Sequence, residues 1–229
     1  MAKAFKIDYT FREGFFLISW KPKLNTSAAA LRQTDSGTME DRPMSLAWKL
    51  GLIFLVSEIL LTLTRRSRSK TGMKQDRSTL GMIWLVIAIS IAAGVFVARN
   101  FRAATLPDAR NVCVASILLF VAGLMLRWWA IITLGRFFTV DVTIEKDHQL
   151  VERGPLRIVR HPSYTGVLLA FVGLALSLRN WAALLVILLP IAAAFVHRMN
   201  VEEEALLRAL GPRYAEYIKR TSRLVPFIY

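Results

Sequence analysis

Seven residues in the second half of this 229-residue chain have side chains suited to chemistry: His148, Arg160, His161, Tyr164, Arg198, Glu202 and Glu203. They fall in two groups. The first lies in a polar, basic stretch, HQLVERGPLRIVRHPSYTG, from His148 to Gly166. Gly154-Pro155 and Arg160-His161-Pro162 break the chain there. Pro162 biases His161 toward extended backbone and suits the first turn of a helix. His161 is therefore expected at a helix N-terminus, where unpaired N–H groups favour an anion. The second group opens a polar helical segment after residue 196. Arg198 and Glu202 are four apart and share a face, and Glu203 stands about 100° further round. Such residues bind carboxylates through a guanidinium fork or accept a proton through a carboxylate. The plainer reading is a surface ion pair beside a solvated acidic run.

Both groups sit at the ends of apolar segments. The chain is 55% apolar with a formal charge of +14. That much basic charge could point to nucleic acid, but it flanks apolar runs, as in membrane topology and contact with anionic lipid. Nucleic-acid binding is not expected. A single cysteine, Cys113, and three separated histidines argue against a disulfide framework and against a metal site. No cleavable signal peptide and no prenylation signal of the chain's own are read.

The expected architecture is an all-α, polytopic integral membrane protein. It has about five transmembrane helices, a cytosolic connector and a C-terminal amphipathic helix. Residues 1–43 form a tail or interfacial segment, with Phe5, Phe11, Phe15, Phe16 and Trp20 as its apolar side. Residues 44–111 hold two spans, about Leu46–Thr64 and Leu80–Ala98, and residues 112–229 hold the core. Glu58 lies inside the first span, where it recognises a substrate or pairs with a buried Arg. Arg65 to Arg77 is a basic loop that sets topology. Arg127, inside the third span at Val112–Leu134, snorkels or faces a polar cavity. Residues 135–163 are the connector, with a short extended piece near Phe137, Phe138 and Val140. Tyr164–Leu178 and Trp181–Val196 form a tight hairpin, with Gly166, Ala170, Gly173 and Ala175 as small packing faces. Pro190 is placed to kink the last span. His197 to Lys219 continues as a helix with Leu206, Leu207, Leu210, Tyr214 and Tyr217 at helical spacing, interrupted at Gly211-Pro212. It covers the connector or lies on the membrane.

The motifs resemble one family. Gly154-Pro155-Leu156, then Arg160-His161-Pro162-Ser163-Tyr164-Thr165-Gly166, is similar to the signature of the isoprenylcysteine carboxyl methyltransferases, much of it shared with phospholipid methyltransferases. Leu134 to Phe138, His148-x-Leu150-Val151, Arg198, Glu202-Glu203-x-x-Leu206, Gly211, Tyr214 and Tyr217 match in order and spacing. The likeness covers about residues 120–226, and Leu156 departs from the family's usual Tyr. It implies S-adenosylmethionine as cofactor, bound on the cytosolic side by His148, Leu150, Val151, Gly154, His161, Pro162, Tyr164, Glu202 and Glu203. It implies Arg198 and Glu203 as catalytic residues, and an acceptor that is a prenylated or lipid-like molecule reaching the site sideways from the bilayer. A carboxylate acceptor is ionised at pH 7 and needs a cation, not a base. A phospholipid amine must lose a proton, for which Glu202 or Glu203 would serve. An NADPH-dependent sterol reductase and a non-enzymatic scaffold are the more distant alternatives.

Overall fold

The computed structural model describes residues 8–12, 15–19, 42–65, 77–138 and 150–226. The chain divides into two compact units, Met1–Arg42 and Pro43–Tyr229. In the first unit β1 (Asp8–Arg12) pairs antiparallel with β2 (Phe15–Ser19), Tyr9 opposite Ile18 and Phe11 opposite Phe16. These two strands are rich in aromatic and aliphatic residues, which suit a pleated ribbon. Of the expected tail, residues 1–7, 13–14 and 20–41, with Phe5 and Trp20, lie outside the described residues, as do His148 and residues 66–76 of the basic loop.

The second unit is helical. Its long elements are α1 (Arg42–Arg65), α2 (Arg77–Asn100), α3 (Ala109–Leu134), α4 (Pro162–Ser177), α5 (Trp181–Leu210) and α6 (Pro212–Arg220). Four of them, α1, α2, α3 and α5, are long and apolar enough to cross a membrane. The expected fifth span is α4, whose 16 residues give ~24 Å against a hydrocarbon core of ~30 Å. Large apolar side chains face outward: Trp48, Leu63, Phe96, Leu118 and Met125 are all exposed. An apolar exterior is what a lipid solvent requires, and the chain is a multi-pass membrane protein.

Two of the helix pairings follow sequence order and one does not. α3 packs along α4, and α2 along α5, while α4 and α5 form the expected hairpin. Its turn is tight because Arg179 adopts φ +54° and Asn180 caps α5, accepting from the Ala183 N–H at 2.9 Å. Asn180 also donates to the Phe101 carbonyl at 2.8 Å, tying this turn to the α2–α3 loop. The α3–α4 contact is close because Gly123 and Gly166 face each other. A Cβ on Gly166 would stand 2.6 Å from the Arg127 backbone nitrogen, and one on Gly123 2.4 Å from that of Ala170. The small face expected on α4 is therefore turned to α3. Within the core, Phe120, Phe171, Ile187 and Ile191 are almost fully buried.

α1 is joined to α3 by polar side chains. Arg127 donates to Glu58 at 2.7 Å and to Ser163 at 3.0 Å, and Trp128 donates to Ser57 at 2.9 Å. The Arg partner expected for Glu58 is thus Arg127, and of the two settings read for Arg127 the buried, cavity-facing one holds. α5 runs unbroken through Pro190 and past residue 196 to Leu210, so the last apolar crossing and the polar helix after it are one element. Gly211 then turns the chain at φ +53° into α6.

Candidate functional site

The site begins with the shape of the connector. Gly154 takes φ +57°, a conformation that strains L residues, and a Cβ there would come within 3.2 Å of the Thr133 side chain. Pro155 and Leu156 follow in a buried short turn, Gly154–Arg157. The next residues run beside a strap, residues 221–226, that follows α6. Arg160 N–H donates to the Ser222 carbonyl at 2.8 Å, Ser222 N–H to Ile158 at 3.1 Å, and His161 N–H to the Arg223 carbonyl at 3.1 Å. Pro162 then opens α4 with His161 as its N-cap, as the Arg-His-Pro sequence predicts.

Two charged clusters hang on this frame. In one, Glu203 on α5 accepts from Arg160 Nε at 3.0 Å and lies 2.9 Å from His161 Nε2, both at Oε1. Its Oε2 lies 3.0 Å from Arg223 Nη2. Arg160 also donates through Nη1 to the carbonyls of Ile218 and Thr221. In the other, the Tyr164 hydroxyl donates to Glu202 Oε2 at 2.8 Å and accepts from Arg198 Nε at 2.9 Å. Arg198 and Glu202 share a face, as their spacing requires, and both reach the same phenol. Arg198 and His161 are each only 5% exposed, so neither belongs to an ordinary solvated ion pair. The His161 and Tyr164 rings stack at 5.6 Å, and Tyr164 meets Phe195 at 5.3 Å.

A cavity of about 270 Å³ lies against these groups. α1 and α2 supply an apolar wall with Phe54, Leu80, Ile83, Trp84 and Ile87. The connector and α4 supply Leu150, Val151, Leu156, His161, Pro162 and Tyr164. α5 adds Phe195, Arg198, Glu202 and Leu206, and α6 adds Tyr214 and Tyr217. The expected covering of the connector by the terminal helix is realised, since the Tyr217 hydroxyl donates to the Leu156 carbonyl. Burial first, then the negative charges of Glu203 and Glu202, push the Tyr214 hydroxyl up. Glu58 and Arg127 also line the cavity. Glu58 Oε1 and Arg127 Nε are buried without a hydrogen-bond partner among the described residues.

Of the residues predicted for the site, Leu150, Val151, His161, Pro162, Tyr164, Arg198 and Glu202 line this cavity. Gly154 and Glu203 are not in its wall. Gly154 packs on Thr133, and Glu203 is occupied by Arg160, His161 and Arg223. His148 lies outside the described residues. The sequence reading left out the strap. Arg223 and Ser222 sit in a short polar stretch with no periodicity, and nothing in their spacing announces partners as near as Glu203 and as far upstream as Ile158. The link from Arg127 to Ser163 was also missed, although an arginine inside an apolar span always demands a partner.

The chain was compared with known proteins. Residues 116–208 match the model of the isoprenylcysteine carboxyl methyltransferase (ICMT) family. Protein-S-isoprenylcysteine O-methyltransferase B of Arabidopsis thaliana is 37% identical over 112 residues, 48% of this chain and 57% of its own. A probable protein-S-isoprenylcysteine O-methyltransferase of Oryza sativa subsp. indica is 29% identical over 145 residues, 62% of this chain and 76% of its own. The chain thus spans little more than half the length of the Arabidopsis relatives, 57% and 58%. The solved structure of the eukaryotic intramembrane Ras methyltransferase ICMT superposes with a TM-score of 0.66 at 24% identity, covering 82% of this chain and 68% of that one. The fold is shared with that enzyme.

Proposed function

We propose, from a chain whose residues 116–208 carry the match to the isoprenylcysteine carboxyl methyltransferase family, that this protein is a membrane methyltransferase. It uses S-adenosylmethionine to esterify the carboxylate of an isoprenylated cysteine or a similar lipid-linked acceptor, at a site on the cytosolic side. One observation carries the reading: a single cavity joins an apolar wall from two membrane helices to a part-buried Arg198–Tyr164–Glu202 cluster. A lipid tail suits the first surface and a charged head the second.

The residues present fit the cofactor. Its cationic sulfonium and aromatic base call for an acid, hydroxyl donors and ring faces. Glu202, Tyr164, Tyr214, Phe137 and Phe138 supply them around one space. Leu150, Val151, His161 and Pro162 would hold its remaining surface, with Gly154 shaping the connector. When bound, S-adenosylmethionine supplies an electrophilic methyl group that a carboxylate oxygen takes by direct displacement. The protein's work is then alignment and exclusion of water. Arg198 is the orienting cation. Its Nε rests on the Tyr164 hydroxyl, which sets the plane of the guanidinium before an acceptor arrives.

The same geometry disfavours amine methylation, which needs a carboxylate ready to take a proton. Glu202 already accepts from Tyr164, and Glu203 is held by three basic side chains. The test is purified protein in nanodiscs with radiolabelled S-adenosylmethionine, offered N-acetyl-S-farnesylcysteine or phosphatidylethanolamine. Label on the farnesylcysteine that base releases as methanol supports the reading. Base-stable label on the phospholipid alone overturns it. Arg198→Ala is expected to lower kcat/KM for the carboxylate by about 100-fold, the scale of losing an aligned acceptor.

A further inference from the structure

We infer that Arg223 is a positioning residue for the cofactor end of this site, acting through His161 and Glu203; the inference rests on the function proposed above. Arg223 holds His161 in two ways. Its carbonyl accepts from the His161 N–H at 3.1 Å. Its guanidinium lies 3.0 Å from Glu203 Oε2, while Glu203 Oε1 lies 2.9 Å from His161 Nε2. The ring and the backbone of one cavity-lining residue are therefore both set by a single residue of the strap.

The two-sided grip matters because the terminal torsion of a glutamate is soft. Arg160 and His161 both engage Oε1, which alone would let the carboxylate swing about that oxygen. Arg223 on Oε2 fixes the plane. The Asn200 side chain in turn accepts from Arg223, and Thr165 donates to the Leu224 carbonyl at 2.8 Å, pinning the strap against α5 and α4. The strap itself lies beyond residue 208, where the family match ends, while its partners His161, Thr165, Asn200 and Glu203 lie within the matched segment. Arg223 has no place in the cavity wall itself. Its influence on the cofactor must pass through His161.

The experiment is calorimetric titration of S-adenosylmethionine into the full chain in nanodiscs, with steady-state kinetics and thermal unfolding on the same preparations. Wild type is compared with Arg223→Gln, Arg223→Lys, Asn200→Ala and the exposed-pair control Arg208→Gln. Loss of a charged hydrogen bond predicts a rise of about 10-fold in cofactor Kd and KM for Arg223→Gln, with acceptor KM unchanged. Arg223→Lys recovers part of it, and Asn200→Ala shifts cofactor KM the same way by a smaller factor, which serves if Arg223→Gln does not fold. Unchanged cofactor Kd in Arg223→Gln, or cofactor KM, acceptor KM and Tm all worsening together, overturns the inference while leaving the function standing. A wild type that binds no S-adenosylmethionine overturns both.

Discussion

Tyr164 shows how much one hydroxyl can organise. It touches Arg198 and Glu202 at once, so two opposite charges are held in register by a neutral group between them. Tyr164→Phe keeps the ring contact with Phe195 but leaves both charges to find new partners. The expected result is a fall in kcat of about 10-fold or more, with a smaller loss of stability than Glu58→Ala gives, read from methylation kinetics beside a melting curve. Glu58 and Arg127 behave differently, because they pair inside an apolar crossing. Glu58→Ala strands a buried guanidinium and should cost about 3–5 kcal/mol in reversible unfolding, whereas Glu58→Met with Arg127→Leu should restore most of it. A double variant as unstable as the single one would refute that account. The charged motif residues were legible because each is chemically costly at the end of an apolar run. Arg223 was not, because a cation in a polar tail costs nothing on its own.

At the scale of helices, the apolar runs were readable to within about three residues at their ends. Hydropathy marks which segments leave water, and length marks which can cross. Their pairing was not readable. The small residues of α4 announced a close contact but not with whom, and the partner proved to be α3 through Gly123 rather than the hairpin neighbour α5. Small faces state a permitted distance and carry no address. Gly166→Leu must push α3 and α4 apart where backbone meets backbone. It should lower Tm and activity together, and an unaltered melting temperature would show the helices able to part freely. The continuity of α5 beyond residue 196 followed from its unbroken helical spacing, and the stop at Gly211 from the Gly-Pro pair.

For the whole molecule, the arrangement requires the connector and the far end of α5 to share one face of the bilayer. The Arg160–Glu203 and His161–Glu203 contacts satisfy that requirement. With Cys113 replaced, single cysteines at the exposed Glu204 and at the exposed Arg153 should react with an impermeant maleimide from the same side of a sealed vesicle. A cysteine at Trp181 should react from the other side. Labelling of positions 153 and 204 from opposite sides would contradict the fold.

α5 also fixes a depth. Arg198 stands 17 residues after Trp181, ~26 Å along the axis, close to the ~30 Å thickness of the oily layer. The remaining turns rise into the headgroups. Under the function proposed above, an oil-soluble acceptor and a water-soluble donor would meet at the boundary of their two phases, and neither would have to be extracted from its own. Bilayer thickness would then be a variable of the proposed reaction: in a thicker membrane the arginine sinks below the headgroups, and turnover should fall without any change in the protein.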